Sequence, residues 1–465
     1  MFNTFSRTMA LHFELTGVKA SGAAVPRTGR LVLDRASGKA GGAEQGPIVL
    51  ETPGFFKYTR HGLQPHLVPD VAAEVDTLPA ATRVQLEDFL ETDSPDCGRY
   101  SEGLHKFLAL DSSEILILDT LDPTIYARTA KPTNAYMAID SDGGTRRLAA
   151  AAFAQLANSL KPDIVIPPFD VIEDPLPSLT QGKRISKSVA RTAKWLDDCI
   201  AALTYPVAIF APVAGSHSLE LRTKAAESLV ARQDIAGYAF NDVGLAVTQD
   251  YKLRLATHSL EKLDASKPRY MLGASAPDAV LRAVLGGIDL FDSSYPYAVT
   301  EQGFASTYVL GDSFSCTQPA SETSVASATD AAHLDLWQES MFADFGPLVE
   351  GCACFTCRGH HRSYIHHLLK TKEMLATVLL QIHNLHWYQR FFNDIRASLA
   401  QGLLPADTEH FLKKYGCETP QTLGGCRPVQ AFGELDALAS QTLSPTTKIQ
   451  RKRHAEQQPL ETAAS

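Results

Sequence analysis

YPVAIFAPVAGSHSLELRTKAAESLVARQDIAGYAF, residues 205–240, reads as strand, helix and strand. Residues 207–213 are a short, largely apolar run with Val207 and Ile209 at its heart. Residues 218–231 then place apolar side chains three and four apart, the period of a helix with one buried face. Residues 237–240 are a second apolar run. Two strands joined by a helix form a parallel pair with a crossover. Working outward, further strand-like runs stand at 47–50, 114–118, 163–167, 269–272 and 287–291. Helical patterns lie at 146–160, 186–202 and 276–285. Such alternation gives an α/β protein with a parallel sheet, either an eight-stranded barrel or a doubly wound sheet. No Gly-x-Gly-x-x-Gly follows the first strands, which favours a (β/α)₈ TIM-type barrel over a dinucleotide-binding sheet.

Composition excludes several classes. The 465 residues are 45% hydrophobic and 20% charged, a globular rather than a disordered balance. The longest apolar stretch, 374–382, is nine residues even with Thr377 and Gln381 counted, half of what spans a bilayer. The net charge of −9 argues against unspecific nucleic-acid binding while leaving room for a local basic face. The first twenty residues have no apolar core and include Glu14, so no secretory leader is expected, and residues 1–33 only faintly resemble a transit peptide. An intracellular, reducing location follows, with clustered thiols held for a metal rather than for disulfides.

Two segments read as insertions: ASGKAGGAEQG (36–46) and TQPASETSVASATDAAH (317–333). Small and polar residues without periodicity predict mobile loops. Beyond residue 446 come Lys448, Arg451, Lys452 and Arg453 and then a polar run. A disordered tail is expected there, with a basic handle for RNA or a partner as the sharper alternative.

Cys352-Ala-Cys354-Phe-Thr-Cys357 is the strongest chemical signal. Three thiolates and one imidazole make a closed tetrahedral site suited to Zn²⁺, with no position left for a reactive water, so the ion would be structural. Residues 358–382 are helical in pattern, which puts His383 at or after the far end of a helix. From spacing alone His360, His361, His366, His367, His383 and His386 all compete for the fourth position. Cys97, Cys199, Cys316, Cys417 and Cys426 are scattered and read as buried or incidental.

Carboxylates at strand ends are further candidates, because barrel enzymes react where strands run into their following loops. Asp119 follows EILIL, Asp170 follows PDIVIPPF and Asp292 follows GIDLF. Alternation directs Asp289 to the opposite face from Asp292. Such a carboxylate serves as a nucleophile on a sugar carbon or as a general base, or else simply caps the next helix.

CFTCRGHHRSYIHHLLKTKEMLATVLLQIHNLHWYQRFFNDIR, residues 354–396, resembles the zinc subdomain of the tRNA-guanine (queuine) transglycosylases. Arg27-Thr28-Gly29-Arg30-Leu31, Thr52-Pro53-Gly54-Phe55, Gly103 to Phe107 and Gly287 to Asp292 fall in the family's order, so the resemblance covers roughly residues 25–400. It implies a (β/α)₈ barrel with an inserted zinc-binding subdomain, and His383 as fourth ligand beside Cys352, Cys354 and Cys357. The implied layout is an N-terminal segment (1–25), a barrel (26–345), the zinc subdomain with closing helices (346–440) and a disordered tail (441–465). In the catalytic members one Asp attacks the ribose at the wobble position and a second, opening a Ser-Gly-Gly-Phe loop, moves protons. Asp292 and Asp119 fall at those two positions.

Their surroundings differ from the catalytic pattern. Thr120-Leu121-Asp122-Pro123 stands where Ser-Gly-Gly-Phe is expected, and Pro212-Val213-Ala214-Gly215 replaces Val-Gln-Gly-Gly. Gly237-Tyr238-Ala239-Phe240-Asn241-Asp242-Val243-Gly244 lacks the second glycine and the closing Glu of the next pocket loop. Pro296 to Thr300 lacks the arginine that follows the nucleophile. A purine pocket needs close backbone approach and amides matched to base edges. The chain is therefore similar to the accessory, non-catalytic branch of the family, with Asp292 and Asp119 as vestiges. Tyr58-Thr59 to Gly62, Pro65-His66-Leu67, Lys267 to Tyr270 and Phe291 to Tyr297 carry that similarity.

The resemblance implies a heterodimer with a catalytic queuine tRNA-ribosyltransferase subunit, tRNA as a shared ligand, and no transmembrane segment. It also implies a cytoplasmic location with peripheral association at the mitochondrial outer membrane. Trp387, Tyr388, Phe391 and Phe392 would offer an exposed aromatic face to the partner or else pack on the barrel. Lys370, Lys372, Arg390 and Arg396 would touch phosphate. A self-sufficient transglycosylase using Asp292, and a zinc-stabilised RNA-binding module, are the alternatives.

Overall fold

Eight short parallel strands carry the core: β1 (Gly54–Phe56), β2 (Ala81–Gln85), β3 (Ile115–Asp119), β4 (Ile164–Val165), β5 (Ala208–Pro212), β6 (Gly237–Phe240), β7 (Arg269–Met271) and β8 (Leu290–Asp292). The computed structural model describes residues 10–17, 24–34, 46–75, 78–90, 96–111, 113–124, 131–141, 143–172, 182–240, 249–311 and 331–415. The strands are ordered β1-β8-β7-β6-β5-β4-β3-β2. A parallel bridge between Lys57 and Thr82 joins the two ends. There the Lys57 N–H donates to the Ala81 carbonyl at 2.8 Å and the Arg83 N–H to the Lys57 carbonyl at 2.9 Å. The sheet thus curls into the expected barrel.

Helices Ala150–Leu160, Gly182–Ala202, Leu219–Val230, Gln249–Leu260 and Pro277–Leu285 alternate with the later strands. Local chemistry sets their starts: Ser218 Oγ accepts the Leu221 N–H, and Pro277 occupies the first turn of its helix. The strands are buried on both faces, as a parallel sheet covered by helices must be.

Several expectations need correction. Residues 47–50 belong not to the barrel but to an antiparallel sheet of Ala10–Gly17, Thr28–Asp34 and Ile48–Thr52. Val49 is exposed there while Leu50 is buried, the alternation of a strand with one wet face. The true first strand, β1, has only three residues. The helical pattern expected from 146 starts at Ala150, because Gly144–Leu148 pairs with Met137–Ser141 as a hairpin. The 36–46 loop (apart from Gly46), residues 317–330, the tail from 441, and Cys316, Cys417 and Cys426 lie outside the described residues.

After β8 the chain runs through Ser294–Glu301 and a small hairpin, Phe304–Ser306 with His333–Asp335. It then enters four helices, Phe355–Gly359, Arg362–Thr371, Met374–Gln401 and Leu404–Tyr415. The expected single helix before His383 is broken at Lys372, whose left-handed φ of 59° ends one helix. His383 therefore lies within the 28-residue helix Met374–Gln401, not at its far end. That long helix packs Tyr388 and Phe392 against Phe55, with ring centroids 5.0 and 5.1 Å apart. Trp387, Tyr388, Phe391 and Phe392 are all buried, so the expected exposed aromatic face is part of the barrel core instead. Among the described residues no helix is long and apolar enough to cross a membrane.

Candidate functional site

Two sites emerge from this frame, a thiol clip and the barrel mouth. Cys354 caps the short helix Phe355–Gly359, and its Sγ accepts the Cys357 N–H at 3.3 Å. The turn directs three thiols at one ring. His383 Nδ1 stands 3.9, 3.6 and 3.4 Å from the sulfurs of Cys352, Cys354 and Cys357. All four ligand atoms lie within 4.8 Å of one another. A tetrahedral ion with metal–sulfur bonds of about 2.3 Å and a metal–nitrogen bond of about 2.0 Å needs ligand separations of about 3.5 Å, so the donor set fits a metal ion.

The ring is aimed by its second nitrogen. His383 Nε2–H donates to the Ser306 carbonyl at 3.0 Å, which leaves the lone pair of Nδ1 facing the thiols. Asn384 braces the same strand: its Oδ1 accepts the Ser306 N–H at 2.8 Å, and its Nδ2 donates to the Phe304 carbonyl at 3.0 Å and to Thr300 Oγ1 at 2.9 Å. Three of the rival histidines are otherwise engaged. His361 Nδ1 accepts the Tyr364 N–H, His366 Nδ1 bonds the Leu336 carbonyl, and His360 stacks on Tyr364. His386 interacts with Cys352 but is not one of the four.

At the barrel mouth the three strand-end carboxylates, Asp119, Asp170 and Asp292, are completely buried. Asp292 Oδ1 accepts the Ser294 N–H and Oδ2 the Gly273 N–H, both at 3.0 Å. Asp170 is gripped by the guanidinium groups of Arg184 and Arg191, at 2.6 and 3.0 Å to Oδ2. Asp119 meets Arg83 Nη2 at 3.2 Å. Asp289 is turned away, as alternation predicts, and forms a bidentate pair with Arg27 at 2.7 and 2.5 Å.

Arg83 is the residue that motif reading missed. It rises from β2 into the interior, has no exposed surface, and donates to Gln85 Oε1 at 3.0 Å and to the Leu121 carbonyl. Burial works against its charge, but Tyr270, Asp119 and Asp292 outweigh that and lift its pKa above the usual arginine value. Burial likewise holds the Tyr270 hydroxyl well above its ordinary range. Thr120, Leu121 and Asp122 are buried behind this arginine, and Tyr58 Oη donates to Asp122 Oδ2 at 2.9 Å. The segment standing where a glycine-rich loop is expected is therefore packed and pinned. The one available signal was the period of two in ATRVQ, which puts Arg83 and Gln85 on one face.

Gly215 closes the Pro212–Gly215 segment with φ at 137°, and a Cβ there would come within 2.8 Å of the Arg222 backbone. This glycine serves helix packing. Asn241, Asp242, Val243 and Gly244 lie outside the described residues. Of the cations expected on phosphate, Lys370 pairs with Glu339, Arg390 lies over Trp387 and near Asp394, and Arg396 donates to the Pro53 carbonyl.

The family model described as Queuine tRNA-ribosyltransferase matches residues 24–417. Curated relatives carry the name Queuine tRNA-ribosyltransferase accessory subunit 2. One from Xenopus laevis is 31% identical over 402 residues, covering 79% of this chain and 94% of its own length. One from Drosophila virilis is 32% identical over 380 residues, covering 78% and 86%. The Homo sapiens relative is 29% identical, covering 76% and 90%.

Proposed function

The chain belongs to the queuine tRNA-ribosyltransferase family, and from that premise we propose that it is a non-catalytic accessory subunit. In this reading a catalytic partner exchanges guanine for queuine at the wobble position of tRNAs with GUN anticodons, those for aspartate, asparagine, histidine and tyrosine. This chain completes the heterodimer and supports tRNA binding. The observation that carries the reading is Arg83 filling the space beside Asp119 under the influence of Asp292. A nucleophilic carboxylate must be reachable by the sugar, and a general base must be free to take a proton. Here Asp119 is paired and both oxygens of Asp292 accept backbone N–H groups.

The thiol clip holds a structural Zn²⁺ in this account, through Cys352, Cys354, Cys357 and His383. Bound zinc would tie the Cys-x-Cys-x-x-Cys turn to the long helix and supply fold stability. Exposed apolar side chains in the segments that flank the cysteines in sequence support a partner surface on this subdomain. Phe342 and Phe345 are 73% and 71% exposed and Met374 is 84% exposed, with Phe345 against His361 at 5.4 Å. Grouped exposed apolar side chains mark association sites. The reading includes a cytoplasmic location with peripheral attachment to the mitochondrial outer membrane.

The test is base exchange with the chain mixed with a catalytic subunit. Asp292→Asn in this chain should leave exchange by the pair unchanged. A loss of exchange larger than tenfold, with the pair still formed, would favour a self-sufficient transglycosylase built on Asp292.

A further inference from the structure

A chain of net charge −9 carries, among its described residues, a concentrated basic face on the helix Gly182–Ala202 and the strands beside it. The first thirteen residues of that helix, 182–194, hold Lys183, Arg184, Lys187, Arg191 and Lys194, and its first acid is Asp197. Lys183, Lys187 and Lys194 are exposed on one stripe, about 16 Å long at 1.5 Å per residue. Lys194 is tied to Asp198, but neither Lys183 nor Lys187 has an ion-pair partner among the described residues. Arg184 and Arg191 flank the stripe and both grip the buried Asp170, so this trio keeps a net positive charge at the mouth.

The face extends to a second element. Arg191 Nε donates to Asn134 Oδ1 at 2.7 Å, which fastens the helix to the segment leading into the hairpin of Met137–Ser141 and Gly144–Leu148. On that segment Lys131 is exposed, and the exposed Arg147 lies 5.2 Å over the Tyr136 ring. A cationic plane stacked on an aromatic ring beside exposed lysines is the chemistry that holds a nucleic-acid backbone and its unpaired bases.

We infer that Lys131, Arg147, Lys183 and Lys187, with Tyr136, form a face that binds the phosphodiester backbone of RNA. Stated for the proposed accessory subunit, it is where tRNA touches this chain, away from the lysines of the thiol-clip region. An anionic membrane would also attract the charge, but it needs apolar wedges as well. Among the described residues no large apolar side chain is exposed between Phe107 and Leu219.

The test uses the full chain, alone and paired with a catalytic subunit, and the triple variant Arg147→Glu, Lys183→Glu, Lys187→Glu. Arg184 and Arg191 are kept because they neutralise Asp170. The probe is an unmodified tRNA transcript, titrated at several salt concentrations. Each lost phosphate contact lowers the slope of log affinity against log salt by about 1, so the slope should fall by about 2–3 and affinity by more than about tenfold. Pair formation, followed by size, should not change. Unchanged affinity and slope in a variant that pairs normally would overturn the face. Vesicle binding to phosphatidylserine that is lost in the variant, with tRNA binding intact, would also overturn it. Failure of the wild-type chain to pair at all would instead sink the accessory reading, while tRNA binding by the chain alone still scores the face.

Discussion

At the scale of single residues, the barrel interior holds charges where water cannot reach them. Arg83 and Asp119 share a fully buried site, and each makes the other tolerable. Removing one partner of such a pair strands the other's charge, at a cost of about 3–5 kcal/mol. Arg83→Met should therefore lower stability by about that amount in urea unfolding. Arg83→Met with Asp119→Asn should recover much of the loss, because no charge is then stranded. A double variant no better than the single would contradict the pairing.

His333 gives a second prediction at this scale. Its ring sits among Tyr295, Phe304 and Tyr308, and Nε2 is hydrogen-bonded to Tyr295 Oη at 2.6 Å. Burial pushes its pKa down to about 4. A group depressed in the fold contributes stability above its unfolded pKa of about 6.5, and that contribution is lost as pH falls toward 4. The melting temperature should drop across this window, and His333→Phe should flatten the drop. An unchanged slope in the variant would assign the acid sensitivity elsewhere.

At the scale of elements, the clip depends on the contact between the long helix and the hairpin strand Phe304–Ser306. Asn384 makes three hydrogen bonds to this region, one to Ser306, the residue whose carbonyl orients His383. Asn384→Ala leaves buried partners unmatched, at about 1–3 kcal/mol each in the worst case. Two effects are expected: a lower melting temperature, and faster loss of metal to a chelator followed by a colorimetric dye. A variant that keeps its metal as tightly as the parent would show that His383 needs no such brace.

What the sequence disclosed depends on how local the physics is. The βαβ rhythm of residues 205–240 and the three cysteines were legible because each is set by neighbours a few positions apart. β2 was not, since Thr82, Arg83 and Gln85 interrupt the apolar pattern of a buried strand and are buried only because the barrel closes around them. β1 was hidden by its length of three residues. The long helix showed its aromatics plainly, but which face meets the barrel is decided by Phe55, more than three hundred residues earlier in the chain. Asp119 and Asp292 stood out by position, yet their partners, Arg83 and the Gly273 N–H, come from other strands and loops.

At the scale of the whole molecule, a barrel and a thiol clip are retained while the mouth is filled from within. In the proposed accessory role this filled mouth forms no bond to ribose, and trapping a covalent adduct tests that. Purified chain is incubated with tRNA and guanine and no second protein, and the mixture is resolved under denaturing conditions. The account predicts free protein only, with an adduct appearing on the catalytic subunit when that is added. A covalent RNA adduct on this chain by itself, abolished by Asp292→Asn, would contradict it.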